Sequence, residues 1–204
     1  MATTLFLVRH AAHDRVHDTL TGRTPGVSLG AAGRAQAEWL AERLGREAVE
    51  AVLCSPLERA HETAAPIAAR LGLEAVVDPG LLEIDFGAWT GMRFDALATD
   101  AGWRHWNAAR GSARPPAGRT PGESMAEAQR RALDAVERAR AAHAEAGVVL
   151  VSHADVIRAV LLAVLGMPLD AFHRIEVSPA SVSVVSAWEG GARLLGLNEI
   201  PPPG

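Results

Sequence analysis

The stretch FLVRHAAHD, Phe6 to Asp14, sets an arginine and a histidine at the very end of an apolar, β-branched and aromatic run. Thr4 to Val8 reads as a short buried strand. The polar residues after it either mark where the strand meets solvent or lay out reactive groups at its carboxyl end. The surrounding pattern bears on that choice. GAAGRAQAEWLAERLG has apolar residues at helical spacing and stops at Gly45, and VEAVLCS is a second strand. PLERAHETAAPIAARLG is a second helix, in which Pro66 is expected to bend or loosen one turn. LEAVVDP reads as a third strand, ESMAEAQRRALDAVERARAAHAEAG as a long helix stopping at Gly147, VVLVSH as a continuous apolar strand and ADVIRAVLLAVLG as a buried helix. The tail alternates enough to predict strands joined through Gly190 and Gly191. Strands alternating with helices predict an α/β fold with a mostly parallel sheet covered on both faces. From about Asp85 to Gly122 the chain is rich in Trp, Gly, Pro and Arg and reads as an irregular, lid-like insertion within one domain spanning residues 1–204.

Composition narrows the function classes. Of 204 residues, 49% are hydrophobic and 22% charged, which suits a globular core. A formal net charge of −4 argues against a nucleic-acid binder working through a general basic field. The single cysteine, Cys54, excludes an intrachain disulfide and any Cys-based zinc motif. MATTLFLVRH lacks the basic region and longer apolar run of a secretory signal, and no segment reaches membrane-spanning length. A cytoplasmic protein with neither nucleic acid nor membrane as partner is therefore expected. The oligomeric state stays open, a dimer included.

Ligands of open α/β sheets collect at the carboxyl ends of strands. Here the first strand delivers Arg9 and His10, the second delivers SPLER with Arg59, and the late apolar strand delivers Ser152, His153 and Ala154. SPLE has the form of a capping box, with Ser55 as N-cap, Pro56 at the first helical position and Glu58 three residues after the serine. SHAD repeats the spacing with Ser152 and Asp155. Such helix N-termini attract phosphate, although each alone is an ordinary cap. Together the residues suggest phosphoryl transfer. A neutral imidazole can take the phosphoryl group, arginines can hold its oxygens, and a second histidine can donate to them. The leaving alkoxide needs an acid with a raised pKa. Glu83 in LLEIDFGAWTG, among Leu81, Leu82, Ile84 and Phe86, is the candidate, with Asp85 its rival and a surface turn the plainer alternative.

LVRHAAHD, CSPLERAHETA, LLEIDFGAWTG, PGESMAEAQRR and VSHADVIRAVL stand in the order and spacing of the histidine phosphatase superfamily, the phosphoglycerate mutase-like clan. The resemblance runs from Thr4 to about Val185. It implies a three-layer α/β/α sandwich, no metal and no other cofactor, and a phosphohistidine intermediate. On matching positions His10 resembles the nucleophile, Glu83 the proton donor, and Arg9, Arg59 and His153, with Ala154, the phosphate pocket. LTGRTPGVSL around Thr21, Gly22 and Arg23 resembles the loop that touches the substrate beyond its phosphate. Two departures stand out. Ala11 and Ala154 replace the glycines usual after the two histidines, and Ala12 and His13 replace a common Glu-Thr pair.

The function expected is metal-independent hydrolysis of a small phosphomonoester. The alternatives are a cofactor-dependent, phosphoglycerate mutase-type phosphomutase and a non-catalytic phospho-ligand module. A metal site built on His10, His13 and His17 fits no familiar zinc spacing. In the insertion Arg93, Arg104, Arg110, Arg114 and Arg119 outnumber Asp95 and Asp100. Arg104 and Arg110 are accordingly expected to read the substrate, with Trp103 and Trp106 as an apolar wall, unless the segment is simply a solvated loop.

Overall fold

The computed structural model of the chain describes residues 2–16 and 18–202. Thr3–Arg9 (β1) lies inside a six-stranded sheet, and its near-continuous burial suits a strand covered on both faces. Val49–Cys54 (β2), Ala75–Val77 (β3) and Gly147–Ser152 (β4) run parallel with it, in the order β3-β2-β4-β1. Val182–Trp188 (β5) and Gly191–Glu199 (β6) extend the sheet antiparallel beyond β1. The six-stranded sheet is thus mostly parallel, as the alternating pattern implies.

Ala31–Leu44 (α1) and Glu58–Leu71 (α2) pack on one face over a core that includes Phe6, Val8, Leu40, Val52, Ile67 and Val151. Met125–Ala142 (α5) and Ala154–Val164 (α6) cover the other face, over Leu5, Leu7, Leu150, Ile157 and Leu161. The alternation of β1 side chains between these two cores gives the layers α/β/α. The insertion is more ordered than its composition suggests. Phe94–Thr99 (α3) and Ala101–Ala108 (α4) fold there, because Phe86, Trp89, Trp103 and Trp106 form an aromatic cluster that docks on the α5–α6 side of the core.

Some local expectations need correction. α2 begins at Glu58 with Leu57 as its N-cap, and it runs through Pro66 without ending. The SPLE capping box does not form: Glu58 accepts from the Gly26 N–H at 2.8 Å, and Ser55 is taken by the site described below. α6 is capped by His153, not Ser152, whose hydroxyl donates to the Leu81 carbonyl at 2.7 Å. α5 stops at Ala142, short of Gly147. The capping box that does form joins Ser124 and Glu127 at the start of α5.

β6 is an edge strand. Its pairing with β5 shifts register twice, Asn198 is left-handed at φ 54°, and Leu195 and Leu197 are 57% and 44% exposed.

Candidate active site

β2, β4 and β1 are consecutive in the sheet, so their carboxyl ends meet. Arg9 lies beside Ser152 in the ladder, the His10 N–H donates to the Ser152 carbonyl at 2.9 Å, and the Ser55 N–H donates to the Val151 carbonyl at 2.9 Å. The three strand ends singled out in the sequence are therefore neighbours. Two more contacts fix the turn after β1. Gly33 in α1 packs so close to Ala12 that a Cβ there would collide with the Ala12 carbonyl. The N–H of Ala180, which is left-handed at φ 56°, donates to the His10 carbonyl at 3.3 Å. Ala11 and Ala154 keep negative φ, so the methyls that replace glycine hydrogens are accommodated without backbone strain.

Hydrogen bonding sets the imidazole tautomers. His10 is 3% exposed, and its Nδ1 lies 2.8 Å from the Ala11 carbonyl, which can only accept, so Nδ1 carries the proton. Nε2 keeps its lone pair and accepts from Arg59 Nε at 3.2 Å. Arg59 Nη2 lies 3.3 Å from His153 Nδ1 and donates to it. The His153 Nε2–H is left to donate to the Ser55 hydroxyl at 2.8 Å. Burial, together with the charges of Arg59 and Arg9, holds the pKa values of both histidines well below the usual imidazole range. Both are neutral at pH 7.

Glu83 sits opposite. Burial and the nearby Asp155 carboxylate push its pKa up to about 7, and its Oε2 is 3.9 Å from His153 Nδ1. Asp85 does not compete for the same role: its carboxylate accepts from the Gly87 N–H at 2.9 Å and the Thr120 hydroxyl at 2.6 Å, and it holds a turn. Arg23 is a support, not a lining residue. Its Nε donates to the Glu83 carbonyl at 2.6 Å, Arg131 Nη2 donates to the same oxygen at 3.2 Å, and Glu123 bridges the two guanidinium groups. This corrects the expectation that Arg23 touches substrate, although Thr21 and Gly22 do face the cavity.

The cavity over these groups measures about 250 Å³. Arg110 enters it from the end of the insertion, 4% exposed, with its guanidinium 3.4 Å from the Trp106 ring centre and 3.9 Å from that of Phe172. It pairs with Asp155 at 3.0 Å. Arg104 does not take part. It lies on the outside of α4, donating to the Ala98 and Thr99 carbonyls at 3.2 and 3.0 Å, and does not line the cavity, contrary to the expectation that it reads the substrate. Trp103 lines the cavity, whereas Trp106 lies fully buried beneath Arg110. Asp155, Arg158 and Phe172 also line the cavity and were not assigned there from sequence. The spacing of Asp155 and Arg158, one helical turn apart just after His153, was the available signal.

Among the described residues, Arg9 Nε, Arg59 Nη1 and Arg110 Nε are buried donors with no protein partner. Unpaired guanidinium N–H groups around one cavity, in a chain of net charge −4, suit an anion. His17 lies outside the described residues. Among those described, no three His, Cys, Asp or Glu side chains are placed to hold a metal ion.

A six-stranded, mostly parallel sandwich with its charged side chains gathered over three carboxyl strand ends places the molecule among phosphoglycerate mutase-like α/β proteins. The profile of the histidine phosphatase superfamily (branch 1) matches residues 5–200, and the chain belongs to that superfamily. It is 33% identical over 199 residues to phosphoserine phosphatase 1 of Hydrogenobacter thermophilus, covering 95% of this chain and 91% of that protein. It is 32% identical over 190 residues to a probable phosphoglycerate mutase of Yersinia enterocolitica, covering 91% and 85%. Of solved structures, a mycobacterial glucosyl-3-phosphoglycerate phosphatase superposes with a TM-score of 0.85 at 27% identity, covering 97% of this chain and 99% of that one.

Proposed function

We propose that the protein hydrolyses a small phosphorylated metabolite through a phosphohistidine formed on His10. The observation that carries this reading is the His10 tautomer: a neutral imidazole with its proton tied to the Ala11 carbonyl and its Nε2 lone pair turned to Arg59 and the cavity. In the first half-reaction Nε2 bonds to phosphorus as the ester P–O bond breaks. Glu83 gives its proton to the departing alkoxide. In the second, the Glu83 carboxylate takes a proton from water, the resulting hydroxide attacks phosphorus, and the P–N bond breaks to release phosphate and neutral His10. Arg9 and Arg59 hold the equatorial oxygens, beside Ala154 at the start of α6. His153, whose Nε2–H goes to Ser55 and whose Nδ1 accepts from Arg59, positions the Arg59 guanidinium and does not donate to the phosphoryl group, which corrects the role the sequence suggests. No step calls for a metal ion.

The remote end of the substrate falls to Arg110, Trp103, Thr21 and Gly22. A cavity of about 250 Å³ suits a metabolite-sized ester better than a phosphoprotein loop. Relatives named as phosphoserine and glucosyl-3-phosphoglycerate phosphatases agree with a substrate that carries a carboxylate besides its phosphate. The relative named as a probable phosphoglycerate mutase keeps a phosphomutase as the second reading. Assay of a panel of phosphomonoesters, with and without added 2,3-bisphosphoglycerate, decides. Release of inorganic phosphate independent of the bisphosphate is expected. Isomerised ester that appears only with the bisphosphate would favour the mutase.

Arg110→Ala is expected to raise KM severalfold for the best carboxylate-bearing substrate and to change it much less for p-nitrophenyl phosphate, which has no remote anion to hold. Arg104→Ala is expected to leave both unchanged, since its guanidinium binds only its own loop. Steady-state kinetics on both substrates checks the pair, and equal responses to Arg110→Ala would reduce that residue to packing.

A further inference from the structure

The imidazole of His13 lies where the superfamily's common pattern has a smaller hydroxyl, and nothing in the reaction above uses it. It is 5% exposed and lines the cavity. Its ring stacks on that of His10, with centres 5.6 Å apart and planes 23° from parallel. The Arg15 backbone N–H points at His13 Nδ1 at 3.2 Å, so Nδ1 must accept and the ring proton sits on Nε2. Nε2 has no protein partner among the described residues, and the residue lines the cavity. Burial, and after it the charges of Arg59 and Arg9, lower its pKa to about 4. At neutral pH the group is an uncharged, oriented donor next to the proposed nucleophile.

We infer that His13 is a further substrate-contacting residue, donating its Nε2–H to an oxygen of the phosphoryl group that His10 attacks. The inference rests on the phosphomonoesterase reading and deepens it. A phosphoryl dianion offers more acceptor lone pairs than Arg9 and Arg59 fill, and the stacked ring keeps the donor at a fixed distance from the reacting nitrogen. A neutral donor also binds the dianion without adding a third full positive charge beside His10, which would blunt its lone pair. A purely structural role would make His13 a packing partner of His10, and loss of packing does not depend on whether a donor N–H is present.

The test compares His13→Ala with His13→Gln, whose amide N–H reaches about as far as the imidazole Nε2. Two quantities are measured: KM and kcat on p-nitrophenyl phosphate, and equilibrium binding of inorganic phosphate by calorimetry. In His13→Ala, KM and the phosphate dissociation constant are expected to rise together by about tenfold, the ordinary effect of losing a hydrogen bond to a charged group. His13→Gln is expected to restore most of both. An unchanged phosphate dissociation constant in His13→Ala, or a Gln variant as weak as the Ala variant with an unchanged melting temperature, overturns the contact. A wild-type protein that neither binds phosphate nor hydrolyses esters overturns the phosphomonoesterase reading itself, a result separable from the first two.

Discussion

The His10→Ala protein is expected to turn over no phosphomonoester above background and to take up no acid-labile, base-stable phosphoryl label. The reason is positional. Among the described imidazoles over the cavity, only His10 combines a proton fixed on Nδ1 with an Nε2 lone pair facing both Arg59 and the open volume. His153 has its Nε2 proton committed to Ser55 and its Nδ1 turned to Arg59 and Glu83. The proton of His13 sits on Nε2, so it can donate but not attack. Arg9 and Arg59 survive in the variant, and phosphate should still bind it. Quenched-flow labelling with a 32P-ester, followed by acid and base treatment, checks the assignment, and label that persists in His10→Ala would sink it.

The second large effect is that of Glu83→Gln. An acid matters in proportion to how poor the leaving group is, so the loss should reach about 10²- to 10⁴-fold on alkyl phosphates and stay far smaller on p-nitrophenyl phosphate. The pH dependence carries a sign. Glu83 is useful while protonated, and its pKa is raised to about 7, so alkyl-ester turnover should fall as pH rises through that value. Asp155→Asn removes the carboxylate that helps raise it, so the alkaline limb should move to lower pH. The same raised pKa acts on stability. The contribution of the buried carboxyl is fully present below the unfolded value of 4.5 and is lost as pH rises through about 7. Glu83→Gln should therefore melt at a higher temperature than wild type above pH 7, with the gap closing at pH 5. An inactive variant without that stability gain would point to a misfolded loop.

The sheet, its layers and the convergence of Arg9, His10, Arg59 and His153 were legible because they depend on periodicity and on strand ends, which a chain displays locally. Helix starts were less so. Ser55 and Glu58 have the spacing of a cap, but each has a stronger partner across the fold: the His153 ring for one and the Gly26 N–H for the other. Ser124 and Glu127 have the same spacing, and there the cap forms, because Glu127 serves the cap through Oε2 while its Oε1 takes Arg114. The insertion was hardest to read. Nothing local distinguishes Arg104 from Arg110. One faces out from α4 while the other lies past its end, where Trp106, Phe172 and Asp155 converge from distant parts of the chain. Arg23 shows the same limit: the loop belongs to the site, but the side chain turns back to clamp the Glu83 backbone.

The irregular β6 bears on the life of the protein outside its chemistry. A nine-residue border strand with Leu195 and Leu197 in water offers a template on which other chains can polymerise. Its two register shifts and the left-handed Asn198 spoil that template, because an incoming strand cannot match a ladder that loses step twice. The same irregularities that look like flaws in the sheet thus act as a safeguard against fibril growth, and straightening the border would favour insoluble assemblies even with every group in the cavity left in place.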